Sequence, residues 1–176
     1  MSNSTAKKSY PVPQRTNKIL GFDPGLSATG YGIIAGDKCL DFGIVRSDSK
    51  MELGARISKM LSVLRKKIRE HSPDICVIET LFFRKESARS VIYSAHLRGA
   101  IFLLLFQEKV PVIEVTPAKV KQTLTGNGRA SKQQIDYMVH RIYSLEGKIN
   151  EHACDALAVA YSYQAIKRIK EFGITR

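Results

Sequence analysis

The chain has 176 residues, enough for one domain with a proper core, and its 44% hydrophobic and 25% charged content is that of a globular protein. Its 28 Lys and Arg against 16 Asp and Glu leave a net charge of +12, which points to a polyanionic partner, nucleic acid ahead of an anionic membrane surface. No stretch approaches the ~18 consecutive apolar residues of a membrane span, and Cys39, Cys76 and Cys154, odd in number and without a CxxC pair, read as buried free thiols of a reducing compartment and argue against a zinc site.

Residues 1–17, MSNSTAKKSYPVPQRTN, are polar, carry two prolines and lack the apolar stretch of a secretory signal. They are expected to form a disordered basic tail, with an organellar targeting segment as the other reading. Three strands are expected next, at 18–23, 29–35 and 39–45, joined by short Gly- and Asp-containing turns as in an antiparallel meander. A helix over 52–70 follows, with Leu53, Ile57, Met60, Leu61, Leu64 and Ile68 as its apolar stripe. Its other side carries Arg56, Lys59, Arg65, Lys66, Lys67 and Arg69, which reads as a solvated face.

HSPDICVIET then reads as a turn feeding a buried strand, Ile75 to Ile78, that ends in Glu79. A second helix is expected over 85–107, with Ala88, Val91, Ile92, Ala95, Gly99, Phe102 and Phe106 along one side. Its later turns, AIFLLLF, are apolar all round, which suits a subunit interface or a central core helix. Val112 to Val115 is a strand, Pro117 opens a short helix, Ser131 caps a helix to about Tyr143, and the last helix spans 151–170. The order predicts an α/β domain over 18–170, a five-stranded mixed sheet flanked by helices, with 171–176 as a C-terminal tail.

Asp23 follows the apolar run Ile19, Leu20, Gly21, Phe22, where a carboxylate must be desolvated and needs a partner. Asp-Pro-Gly is also ordinary turn chemistry. Glu79 ends its strand in the same way, and two parallel neighbours would bring both acids to one end of the sheet. On the last helix His152 and Asp155 stand at i and i+3 and share a face. For Asp155 the alternative is a helix-start acid complementing the dipole, and for His152 an ordinary polar group. Carboxylates held close resist ionising together unless a cation lies between them. An oxygen-rich site suits Mg²⁺, with Mn²⁺ substituting, and paired metals are a known way to cut phosphodiesters.

ILGFDPGLSATGYGII, PDICVIETLFF, VKQTLTGNGRASKQQ and HACDALAVAYSY, in this order and spacing, resemble the RuvC Holliday junction resolvases over residues 18–165. The resemblance implies a ribonuclease H-like fold and a homodimer working with a branch-migration helicase complex. It also implies symmetric Mg²⁺-dependent cutting of four-way junction DNA, two metals per active site, leaving 5′-phosphate and 3′-hydroxyl ends, in a bacterial cytoplasm. It places the catalytic acids and metal ligands at Asp23, Glu79 and Asp155, with His152 at a fourth position that is often Asp. DNA contacts are implied for Phe82, with Arg84 and Lys85 beside it, and for Lys121 and Lys132. Core packing is the alternative for Phe82, and ordinary surface lysines for the other two. A non-catalytic junction-binding module and an RNA-directed nuclease of the same fold are the rival functions; a sugar-kinase or actin-like ATPase would need a second phosphate loop and more chain.

Overall fold

In the computed structural model of the chain, residues 18–81 and 88–171 are described. Residues 1–17 and the expected DNA-contacting Phe82, Arg84 and Lys85 lie outside them, as does the start of the second predicted helix. The elements run β1 (Ile19–Asp23), β2 (Ala28–Ala35), β3 (Lys38–Arg46), α1 (Leu53–His71), β4 (Ile75–Glu79), α2 (Ala88–Gln107), β5 (Val112–Val115), α3 (Pro117–Thr125), α4 (Lys132–Tyr143) and α5 (Glu151–Glu171). The predicted elements are present, with ends shifted by a residue or so within the described chain. No helix among the described residues is long and apolar enough to cross a membrane.

One sheet has the order β3-β2-β1-β4-β5. The first three strands form the antiparallel meander, whereas β4 joins β1 in parallel and β5 joins β4 in parallel. Side chains alternate across a strand, and the two cores divide accordingly. Leu20, Phe22, Ile33, Cys76 and Ile78 pack under α1 and α2 with Met60, Leu64, Leu97 and Ile101. Ile19, Ile34, Ile75 and Val77 pack on the other side with Leu157, Val159 and the buried faces of α3 and α4. By the same alternation Asp23 and Glu79 point to the α5 side.

Helix α5 lies against the sheet with almost no side-chain layer between. A Cβ placed on Gly21 would stand 2.0 Å from the Ala156 carbonyl oxygen, and one on Gly30 would stand 1.8 Å from that of His152. Gly32 is in the same position against Leu157. On the helix side the approach is lined by Ala153, Ala156 and Ala160, all buried. Glycine in a strand costs backbone entropy, and here it permits a contact that no other residue allows.

Three expectations are corrected. The basic side of α1 is in good part tied down: Lys67 donates to Asp41 Oδ2 at 2.8 Å, while Arg65 and Arg69 both pair with Glu108. Cys39 is only partly buried, although Cys76 and Cys154 are interior thiols. The predicted stripe of α2 turns mostly outward: Ile92, Ala95, Gly99 and Phe106 are exposed, and the core is met by Leu97, Ile101, Leu104 and Leu105. A helix that is apolar all round does not disclose its core face by periodicity.

The close approach of α5 gives a direct test. Gly21→Ala is expected to destabilise the fold by at least the ~1–3 kcal/mol typical of overpacking. Gly54→Ala in α1, where an added Cβ meets nothing within 4 Å, should be neutral or slightly stabilising. Urea unfolding midpoints of the two variants check both.

Candidate active site

Parallel pairing of Phe22 with Ile78 sets the following residues, Asp23 and Glu79, side by side at the carboxyl ends of adjacent strands. The glycine contact lowers the first turn of α5 onto the same end, which brings His152 and Asp155 over Asp23. His152 Nδ1 lies 2.6 Å from Asp23 Oδ2. An ionised carboxylate only accepts, so Nδ1–H donates, which in the neutral ring leaves the lone pair on Nε2. The turn after Asp23 is real but secondary. Thr29 Oγ1 donates to the Gly25 carbonyl at 3.0 Å, and Ser47 Oγ donates to that of Leu26 at 2.5 Å.

The three acids feel one another. Burial pushes the Glu79 carboxyl up, and the charges of Asp23 and Asp155 push it further, to about 7. Asp155 is raised by burial and then by Asp23. Lys121 and Lys132 pull Glu79 back down, so both predicted lysines stand at the site. Lys132 Nζ is 3.8 Å from Asp155 Oδ2 and also pairs with Glu151.

Sequence reasoning passed over Arg98. It is 7% exposed, in the interior of α2. Nη1 donates to the Glu79 carbonyl oxygen at 2.5 Å, Nη2 stands 3.0 Å from Glu114 Oε1, and the guanidinium lies 5.0 Å from the Phe102 ring centre. It therefore ties the main chain under one of the acids to β5 and α2. Its signal was a lone cation in the apolar run HLRGAIFLLL.

The donor set fits a hard divalent cation. Three carboxylates converge, two of them raised by burial and then by their acidic neighbours, and oxygen donors are what Mg²⁺ or Mn²⁺ takes. Among the described residues no three His, Cys, Asp or Glu side chains stand close enough together to hold a metal ion between them.

Comparison with known proteins points one way. The sequence model of the family described as Crossover junction endodeoxyribonuclease RuvC matches residues 19–163. A protein of that name from Desulforamulus reducens is 40% identical over 147 residues, covering 81% of this chain and 90% of its own. One from Treponema pallidum is 35% identical over 150 residues, covering 82% and 76%. Among solved structures, Thermus thermophilus RuvC in complex with a Holliday junction substrate superposes with a TM-score of 0.78 at 27% identity, covering 87% of this chain and 96% of its own. The yeast mitochondrial Holliday junction resolvase Ydc2 shares the fold at 12% identity, with a TM-score of 0.64 over 89% of this chain and 85% of its own.

The raised Glu79 carboxyl carries a stability consequence. Between its ordinary value of 4.5 and about 7 the folded chain holds a proton that the unfolded chain has released, so stability falls as pH rises through that window. In metal-free protein, Glu79→Gln should unfold at higher denaturant than wild type at pH 8. The difference should disappear near pH 4. Paired denaturation curves at the two pH values test this, and a carboxyl ¹³C titration should place Glu79 near neutrality.

Proposed function

The chain belongs to the RuvC family of crossover junction endodeoxyribonucleases, and from that premise we propose that Asp23, Glu79, Asp155 and His152 are the groups with which it cuts Holliday junctions. The observation that carries the reading is the convergence of three carboxylates from β1, β4 and α5 on one end of the sheet, in a chain of net charge +12.

The carboxylates of Asp23, Glu79 and Asp155 would hold the divalent cation, and Mg²⁺ is the ion their hard oxygens would favour. When bound, such a cation offsets the charge of the phosphodiester and supplies a Lewis acid toward its oxygens. Lys121 and Lys132 draw the scissile strand toward the acids, which would otherwise repel it. His152, held at Nδ1 by Asp23, keeps Nε2 as a proton acceptor for the attacking water. Arg98 fixes the Glu79 main chain, so the carboxylate starts from a set position.

The outward stripe of α2 supports a two-fold pairing of chains. Ile92, Leu103 and Phe106 are exposed on one side of the helix, Phe106 by 81%, with Ala95 and the open Gly99 between them. Small residues among large ones let two helices approach closely, and a self-complementary patch makes a closed dimer. Two active sites so paired meet the two opposed strands of one junction.

Asp23→Asn is expected to lower junction cleavage at least ~10²-fold, the scale of losing a positioned catalytic group. Junction affinity should persist, because Lys and Arg contacts to phosphate carry it. A gel assay with and without Mg²⁺ reads both, and near wild-type cutting would return Asp23 to a turn residue. Leu103→Lys combined with Phe106→Glu should sediment as a monomer and lose paired nicking. A variant that remains dimeric would place the interface elsewhere.

A further inference from the structure

A cleft of about 320 Å³ opens beside the acids, lined by Gly25, Leu26, Ser27, Ala28, Ser49, Arg56, Tyr93, Ser94 and His152. It is built from the β1–β2 turn, the segment after β3, α1 and α2, at the same end of the sheet as Asp23. Its composition sets it apart from four other clefts in the described surface. Lys167 and Arg168 share theirs with Glu171; Lys132 and Lys148 share theirs with Asp136, Glu151 and Asp155; Arg69 and Lys109 share theirs with Glu108. The fourth, between α3 and α4, has no charged residue. The Arg56 cleft alone among these combines a cation with no carboxylate in its lining.

Arg56 is anchored for such a role. Nε donates to Ser47 Oγ at 3.0 Å and Nη2 reaches the Leu26 carbonyl at 3.4 Å. Those two contacts leave three of its five N–H donors for a ligand. Because Ser47 also holds Leu26, the guanidinium and the turn that follows Asp23 form one rigid unit. Ser27, Ser49 and Ser94 add hydroxyls, and the planar guanidinium matches the oxygens of a phosphate. His152 is the shared wall between the cleft and the carboxylates.

We propose that this cleft is a subsite for a phosphodiester of the cut strand, neighbouring the one positioned over Asp23. It rests on the junction-cutting reading and deepens it. The scissile phosphate would sit among acids and need a cation there, whereas its neighbour sits against Arg56 and needs none. The strand is thus gripped on both sides of His152, and the grip is present before any cation arrives.

The test is metal-free junction binding in EDTA with a neutral methylphosphonate placed at successive positions along the cut strand. For the wild type, one position beside the cut should lose about tenfold in affinity, the scale of a charged hydrogen bond. In Arg56→Gln that position should become indifferent, while the losses at other positions remain. The slope of log affinity against log salt should also drop by about 0.9, one phosphate contact. Ser49 is exposed and makes no fold-critical packing, so Ser49→Asp offers a second variant that folds: its added carboxylate should weaken binding of the native junction and spare the junction neutralised at that one position. An unchanged methylphosphonate profile in both variants would overturn the subsite. Binding is read without cleavage, so failure of the cutting reading would appear separately, as a wild type that binds junctions and leaves them intact in Mg²⁺.

Discussion

The contact on which the site depends is the bare approach of α5 to β1 and β2. Gly21 and Gly30 leave the helix backbone resting on strand backbone, with alanines lining the approach, and Gly32 makes room for Leu157. An ordinary layer of Leu or Val would lift the helix by a few ångströms. His152 and Asp155 would then stand clear of Asp23, and the hydrogen bond between His152 and Asp23 could not form. Small residues in this domain therefore set a height, and the height sets the chemistry.

Around that contact the charges are arranged in opposition. The chain is strongly basic as a whole, yet the cluster at the carboxyl ends of β1 and β4 is acidic. Long-range attraction brings a polyanion to the surface, and local repulsion would then drive it from the acids. Lys121 and Lys132 at the rim soften that conflict, and a divalent cation among the carboxylates would remove it. The Glu79 carboxyl, raised to about 7 by burial and then by its acidic neighbours, shows the strain of that arrangement.

Much of this was legible in the sequence. Asp23 and Glu79 announced themselves because each breaks an apolar strand at its last position, and Asp155 because it interrupts an alanine-rich helix. The strands and caps followed from period and turn residues. What escaped was relational. Glycines in a strand read as weakness until the helix that covers them is placed. Arg98 and Arg56 sit in sequences of opposite character, one apolar and one basic, and neither discloses that its guanidinium grips a carbonyl. The α1 lysine and arginines looked solvated because their partners, Asp41 and Glu108, lie on other elements. Helix α2 was apolar on every side, so only packing could say which side faces out.

Helix α2 also joins two things that sequence keeps apart. One side of it carries Ile92, Leu103 and Phe106 outward, and its interior carries the guanidinium that holds the Glu79 carbonyl. Leu97 and Ile101 lock the helix to the core on either side of that guanidinium. Arg98 links the helix that bears the outward stripe directly to the main chain of the acid. They are the two ends of one strut, so whatever seats the stripe also fixes where Glu79 stands.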